Sequence, residues 1–563
     1  MKIRIAAIAC IVLAISIVSS CSKKPQHADY IPKDASAVLS IHTDALIKKL
    51  AWEVIWNSKL MEEMKRKSGE KDPSKSVEEM GIKLMTTHYL YVKADKRYSS
   101  GSKVVAIVPL DNKEKWEAYV KKNFNGVNIT KQNDRNEALL NDNMYAGWTA
   151  DVLIITNTIL PSMDEIYNQL QNIQDPQAYD SVYSTLLNQR KPDATLMALE
   201  MNKTFAKDNK NAVTQHESFN KVASAGHDIS LWLNYENLMT NYAQSGMGGL
   251  ALTGALWKDA AATMGIDFED GKIEGTMQYY ASKEMQAAYK EFNKNVDKQT
   301  IENLPTDNLN MIAAANLSPK GMRMIIEKMG TAGLLNTALA QTGITADDIF
   351  NAIDGDMAFA MNDFRMYPET IPANTYYPGQ EAMTTTGTDV SFTFAMKMGQ
   401  KESFDKVFAA LTKDMPLTAT ATGGYMISTG KDSFYISKEG GYLTVSNKEA
   451  FANGYAKATF KGQKKPEVVK NMNRHAGSMY VDIRGLMQQV VSGNTDEKDR
   501  EMLALTGNLL QDIDMHGGGK SNIFEYKIYL NFVNKKENSL LQLLNFSGKM
   551  IELSEKEEKP MPL

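Results

Sequence analysis

The chain has 563 residues, 43% of them hydrophobic, with 63 basic against 67 acidic side chains, two cysteines and seven histidines. A slightly acidic balance with no basic stripe argues against nucleic acid or any other phosphate-rich partner. A chain of this length and apolar content can bury a core that needs neither metal nor disulfide to hold it.

Lys2 and Arg4 precede an apolar run, Ile5 to Val18, and Val18-Ser19-Ser20 leads into Cys21. This is the pattern of a signal removed before a cysteine that is then lipidated. As a helix the 14-residue run spans about 21 Å, short of a hydrocarbon core of about 30 Å, so residues 1–20 read as a lipoprotein signal rather than an anchor. Cys10 leaves with that signal, and the 542 residues after Cys21 hold no cysteine, so Cys21 is the expected lipidation site. Residues 21–29 read as the lipidated cysteine and a polar linker, with the fold beginning at Tyr30.

From Tyr30 onward an apolar, β-branched run repeatedly ends on a short polar residue and is followed by a segment of helical period. Val104 to Leu110 runs into Asp111, which with Glu114 has capping-box spacing ahead of Trp116, Tyr119 and Val120. Ile229 to Leu233 with Asn234, Leu309 to Ala315 with Ser318-Pro319, and Met479 to Val481 with Asp482 repeat the arrangement.

These units recur in the same order along the chain. Ile31-Pro32-Lys33-Asp34 matches Leu304-Pro305-Thr306-Asp307 at an offset of 273; Val104 to Trp116 matches Phe392 to Phe404 at 288; Val152 to Asn157 matches Tyr442 to Asn447 at 290. His227 to Met239 matches His475 to Met487 at 248, and Met277 to Ala281 matches Tyr529 to Val533 at 252. The expected fold is therefore α+β, in two tandem duplicated halves (30–300 and 304–551), each an antiparallel-rich sheet with packed helices. Residues 552–563 read as a disordered tail. The second half carries an insertion, read as a loop at Phe364 to Asp389, and the first carries extra residues near Pro192 to Ala225.

The segment Tyr30 to Ile47 (YIPKDASAVLSIHTDALI), close behind Cys21, resembles an uncharacterised lipoprotein family of Bacteroidota, a domain of unknown function. The likeness extends loosely over the chain through the Pro-x-Asp opening and the strand-then-helix units. It implies the envelope of a Gram-negative cell and supplies no catalytic or ligand residues. Ser22-Lys23-Lys24-Pro25-Gln26 lacks the acidic run that marks surface export in such bacteria, so the likeness implies an outer-membrane lipoprotein facing the periplasm.

A search for chemistry returns structural readings. No His-Glu-x-x-His or paired Cys/His spacing occurs, so no metal and no cofactor is expected. His227 and His475 superpose in the duplication and read as strand-edge imidazoles. Gly519-Lys520-Ser521 lacks the leading glycine of a phosphate loop and reads as a hairpin tip. Gly246 to Gly249 reads as a turn between helices. Ser100-x-x-Lys103 stands before a strand, where penicillin-type chemistry needs a helix start. Asp267 to Gly271 lacks the bidentate Glu of a calcium loop and reads as a hairpin turn. The 33 methionines read as core filling, and Trp52 with Trp56 as a packed pair.

The best candidate for contact is the 364–389 insertion, where Tyr367, Tyr376 and Tyr377 supply aromatic surface at low entropic cost. The expectation is a lipoprotein, not an enzyme, tied to the membrane by its lipid and binding or scaffolding an envelope protein or glycan partner. The alternative is capture of a small ligand or glycan in a cleft between the halves, with a hydrolase third.

Overall fold

A computed structural model describes residues 25–555 apart from 69–78, 95–101, 142, 160–165, 168–169, 172, 190–193, 245–253, 374–378, 380, 431, 464, 494–495 and 521. The fold is α+β, and the described residues divide into two compact units. Unit 1 comprises residues up to Lys49, Asp72–Met247 and Ala261–Gly265; unit 2 comprises Leu50–Lys71, Gly248–Ala260 and Ile266 onward.

In unit 1 the strands are β1 (Ala37–His42), β2 (Thr87–Lys93), β3 (Lys103–Pro109), β4 (Thr130–Gln132), β5 (Arg135–Asn141), β6 (Met144–Trp148), β7 (Val152–Thr158) and β8 (Ile229–Asn234). They pair antiparallel in the order β4-β5-β6-β7-β3-β2-β1-β8. Alternate residues of β1 (Val38, Ser40 and His42) are buried, as expected where one face is covered more closely than the other. The helix Lys113–Asn123 packs Trp116 and Val120 onto Trp148 and Leu153, with the two indoles edge-on at 6.2 Å.

Next in sequence are β9 (Ala261–Glu269), whose residues from Ile266 belong to unit 2, and β10 (Lys272–Tyr280). Unit 2 continues with β11 (Leu309–Asn316), β12 (Ile353–Ile371), β13 (Met383–Met398), β14 (Leu417–Ala419), β15 (Tyr425–Ser428), β16 (Ser433–Ser437), β17 (Tyr442–Ser446), β18 (Gly477–Val481), β19 (Leu510–Lys520) and β20 (Ile523–Phe532). These pair antiparallel in the order β14-β15-β16-β17-β13-β12-β11-β18-β19-β20-β10. The core gathers Ile301, Leu304, Ile312, Tyr442, Tyr455 and Met472.

The caps follow the sequence with one correction. Asn234 accepts from Asn237 N (3.0 Å), Ser318 from Gly321 N (3.2 Å) and Asp482 from Gly485 N (3.0 Å), each directly after a strand. At 111–114 the cap is Asn112, which accepts from Lys115 N (2.8 Å). Asp111 and Asn112 both donate their backbone N–H to Gly81 O (2.9 Å and 3.1 Å), and it is the second of the two whose side chain reaches the helix.

The insertion at Phe364 to Asp389 is largely strand rather than loop. β12 and β13 continue past the sheet as a two-stranded arm, paired from Arg365↔Asp389 to Ile371↔Met383. The β-branched run Thr384-Thr385-Thr386 and the following Thr388 favour an extended ladder, and Pro368 is tolerated because the arm has a free edge. The Gly517 to Gly519 run, read as a hairpin tip, lies within β19, where Gly517 faces Tyr526 and the pairing continues to Lys520↔Ile523; Ser521 lies outside the described residues. Of Asp267 to Gly271, read as a hairpin turn, only Asp270 and Gly271 (φ +67°) turn β9 into β10; Asp267 to Glu269 are the end of strand β9. The helix Ser539–Glu555 carries residues 552–555 of the stretch read as a tail; 556–563 lie outside the described residues.

Candidate functional site

The alternation along β10 and β20 separates polar from apolar side chains. On one face Gln278 donates to Glu525 (2.8 Å) and Lys527 to Thr276 (2.7 Å). On the other, Met277 stands opposite Tyr526, and Tyr279 opposite Phe524. Cross-strand pairs of this kind bring side chains within about 5.5 Å of one another. The four form the floor of a cavity of about 300 Å³.

Its walls come from neighbouring elements of the same unit. The helix Gln286–Lys290 and the turn after it bring Tyr289 and Phe292 over Phe524, with ring centroids 5.2 Å and 6.4 Å away and both pairs edge-on. Tyr279 meets Tyr289 edge-on at 5.5 Å. The end of β11 supplies Ala315, Asn316 and Leu317, and Ala476 completes the lining. The small side chains at 315 and 476 leave the space that larger ones would fill.

No lining side chain carries a charge. Met277 and Leu317 keep 39% and 41% of their surfaces exposed, so the cavity opens to solvent past two flexible aliphatic side chains. Burial pushes the Tyr526 phenol up from its ordinary value, so its hydroxyl keeps its proton throughout the neutral range. At the polar end Asn316 donates Nδ2 to the fully buried carboxylate of Asp356 (2.6 Å), whose other oxygen accepts from Asp297 N (3.2 Å). That pairing fixes the Asn316 amide. Apolar walls with a few fixed polar atoms are the usual make-up of a site that takes a small apolar molecule.

The residues singled out from the sequence lie elsewhere. Cys21, Tyr376 and Tyr377 fall outside the described residues, as do Ser100 and Gly246 to Gly249. Tyr367 is on the β12 arm, 42% exposed. His227 packs its ring on Gly265, and the ring of His475 lies tilted at 33° to that of His516, with centroids 4.4 Å apart. Trp56, Met479 and Met487 are half-buried. The aromatic cavity was missed although a signal existed: Met277-Gln278-Tyr279 and Phe524-Glu525-Tyr526 alternate apolar with polar on both strands. Only pairing of β10 with β20 turns those two short patterns into one floor.

Among the described residues no helix is long and apolar enough to cross a membrane. No protein-family model matches the chain, and no curated protein matches it. Among solved structures it has a low-level likeness to TP0453 in crystal forms III, IV and I. Identities are 8%, 7% and 9%, and TM-scores 0.24, 0.24 and 0.21. Each match covers 46% of this chain and 80%, 80% and 79% of the other. At those TM-scores the likeness carries no argument.

Proposed function

We propose that this chain is a lipid-anchored lipoprotein of the cell envelope that captures an apolar molecule and performs no chemistry on it. The observation that carries the reading is the uncharged cavity floored by Met277, Tyr279, Phe524 and Tyr526. The anchor is Cys21, and the setting is the periplasmic side of a Gram-negative outer membrane, as the resemblance to the Bacteroidota lipoprotein family implies.

Both parts are testable. Labelled palmitate should enter the wild-type protein and not a Cys21→Ala form; equal labelling of the two removes the anchor. The chain from residue 22 should take up N-phenyl-1-naphthylamine with a rise in fluorescence that hexadecanoate reverses. Ala315→Phe places a ring in the cavity and should abolish the uptake. Equal uptake by the wild type and this variant would show that the cavity is not the site.

We also propose that the two units descend from one duplicated module. Support comes from connectivity: the order β4-β5-β6-β7-β3-β2-β1-β8 of unit 1 recurs as β14-β15-β16-β17-β13-β12-β11-β18 in unit 2. A profile of homologous sequences should align 30–300 with 304–551 so that β1 meets β11; a register that pairs β1 with any other strand overturns the idea.

A further inference from the structure

Where β12 leaves the main sheet to form the arm, its register slips between Asn362 and Arg365. Asp363 adopts φ +55° there, and Asn308, which faces it, adopts φ +49°. The two are tied together: Asp363 N donates to Asn308 O (3.1 Å) and Asn308 Nδ2 to Asp363 Oδ1 (2.8 Å). Left-handed backbone at two non-glycine residues costs free energy, and bulges of this kind re-aim side chains beside functional surfaces. Both residues line a groove of about 610 Å³, whose opposite wall is the helix Ile483–Gly493 with Gln488 and Gln489 exposed.

The groove is rich in charge of both signs, with the carboxylates of Asp363, Asp389 and Asp482 close to the cations of Arg365 and Lys448. Arg365 Nη2 pairs with Asp389 Oδ2 at 2.6 Å, and Lys448 adds a second positive field at Asp389, so its carboxyl is held below the usual range. Asp482 is occupied by Gly485 N, and Asp363 by Asn308. What remains is an array of fixed dipoles, amides and carboxylate oxygens, with Leu309 and Phe364 the apolar exceptions in the lining. Charges of opposite sign so close together give an ionic ligand no field of a single sign, and the polar lining gives an apolar ligand no dry wall. Hydroxyl groups, each both donor and acceptor, match such an array.

Tyr367 adds a flat surface next to it. It stands two residues beyond Arg365, on the same face of the strand and about 7 Å along it. Its partner across the arm is Gly387, and a Cβ built there would stand 2.6 Å from Tyr367 Cε2 and 2.7 Å from Cζ. The ring therefore lies over the glycine, where any side chain would displace it, and 42% of the residue stays open to solvent. The negative face of an aromatic ring attracts the weakly positive C–H groups of a sugar.

We propose that this groove and the Tyr367 ring form a glycan site, separate from the aromatic cavity, that takes a neutral oligosaccharide. The mature chain, kept in a zwitterionic detergent, is applied to a printed array of neutral, uronate-bearing and phosphate-bearing oligosaccharides together with peptides, and the strongest neutral hit is titrated by calorimetry. Neutral oligosaccharides should be retained. Tyr367→Ala should weaken binding about tenfold, Gln488→Ala less so, and Tyr367→Phe, which keeps the ring, should retain most of the affinity. Leu411→Ala, at an exposed position in another element, should change nothing. Retention of charged probes or peptides alone, no retention at all, or equal affinity in wild type and Tyr367→Ala would each overturn the proposal.

Discussion

The imidazoles of His475 and His516 lie with their centroids 4.4 Å apart, and His516 Nδ1 is 3.4 Å from the Asp514 carboxylate. Burial first, and then the neighbouring His516, hold His475 below its ordinary pKa of 6.5; Asp514 pulls the other way, and Arg474 adds a still smaller lowering. His27, His42 and His88 are lowered too, each chiefly by burial. A histidine with a lowered folded pKa takes up its proton more readily when unfolded. It contributes no pH dependence above 6.5, and stability falls as the pH drops below that value. Urea midpoints should therefore fall between pH 7.5 and pH 5.5, and His475→Gln should reduce the fall. Carboxylates held low, such as Asp297 and Asp348, act only at more acid pH and leave this window alone. A midpoint that is flat across the window would contradict the assignment.

Tyr455 is fully buried in unit 2, donates its hydroxyl to Thr300 O (2.9 Å) and meets Tyr442 edge-on at 5.3 Å. Tyr455→Phe removes one buried hydrogen bond and should cost about 1 kcal/mol. Tyr455→Ala also opens a cavity and should cost about 3–5 kcal/mol. Denaturant titrations that follow unit 2 would check both values; equal losses from the two variants would mean that packing at this site contributes nothing.

In unit 1 the buried Glu137 carboxylate accepts from Arg135 Nε (2.5 Å) and Tyr145 OH (2.7 Å). Arg135 also donates to Asn202 and sits 5.0 Å from the centre of the Phe205 ring. Arg135→Ala should strand the carboxylate and cost about 3–5 kcal/mol. Replacing the trio together by Met, Leu and Phe should restore most of that loss. If the triple variant is no more stable than Arg135→Ala, the penalty does not come from the stranded charge.

The arm touches the helix Ile483–Gly493 at its last residue: Gly493 lies against the backbone and Cβ of Met366, and Thr386 Oγ1 reaches Gly493 O at 3.4 Å. A methyl group added at 493 must push the helix and arm apart. Gly493→Ala should cost about 1–3 kcal/mol by overpacking and speed protease cleavage within 366–386. Unchanged cleavage would show that the contact does not hold the arm.

The local grammar of the chain was legible because it rests on interactions a few residues long. Asn234, Ser318 and Asp482 cap helices directly after strands because short polar side chains reach free N–H groups two or three residues on. The same grammar placed the cap one residue early, at Asp111: two short polar residues stand side by side at 111 and 112, and the local pattern does not say which of them reaches the helix. The Phe364 to Asp389 segment read as a loop from its Pro, Thr and Tyr content, whereas those same threonines pair into an arm once two strands meet.

Composition and local spacing by themselves determined the α+β class and the strand-then-helix units, since each follows from side-chain period or cap chemistry within a short window. Only the tertiary structure decided which strands became neighbours. Pairing across more than 240 residues places Met277 beside Tyr526 and makes a cavity floor of them. A slip of register beside Asp363 opens a groove next to Tyr367, and Gly387 across the arm leaves room for the ring. The physical reason is one of range: capping and periodicity act within a few residues, whereas a binding surface is made by side chains whose nearness depends on ladders closed between distant parts of the chain.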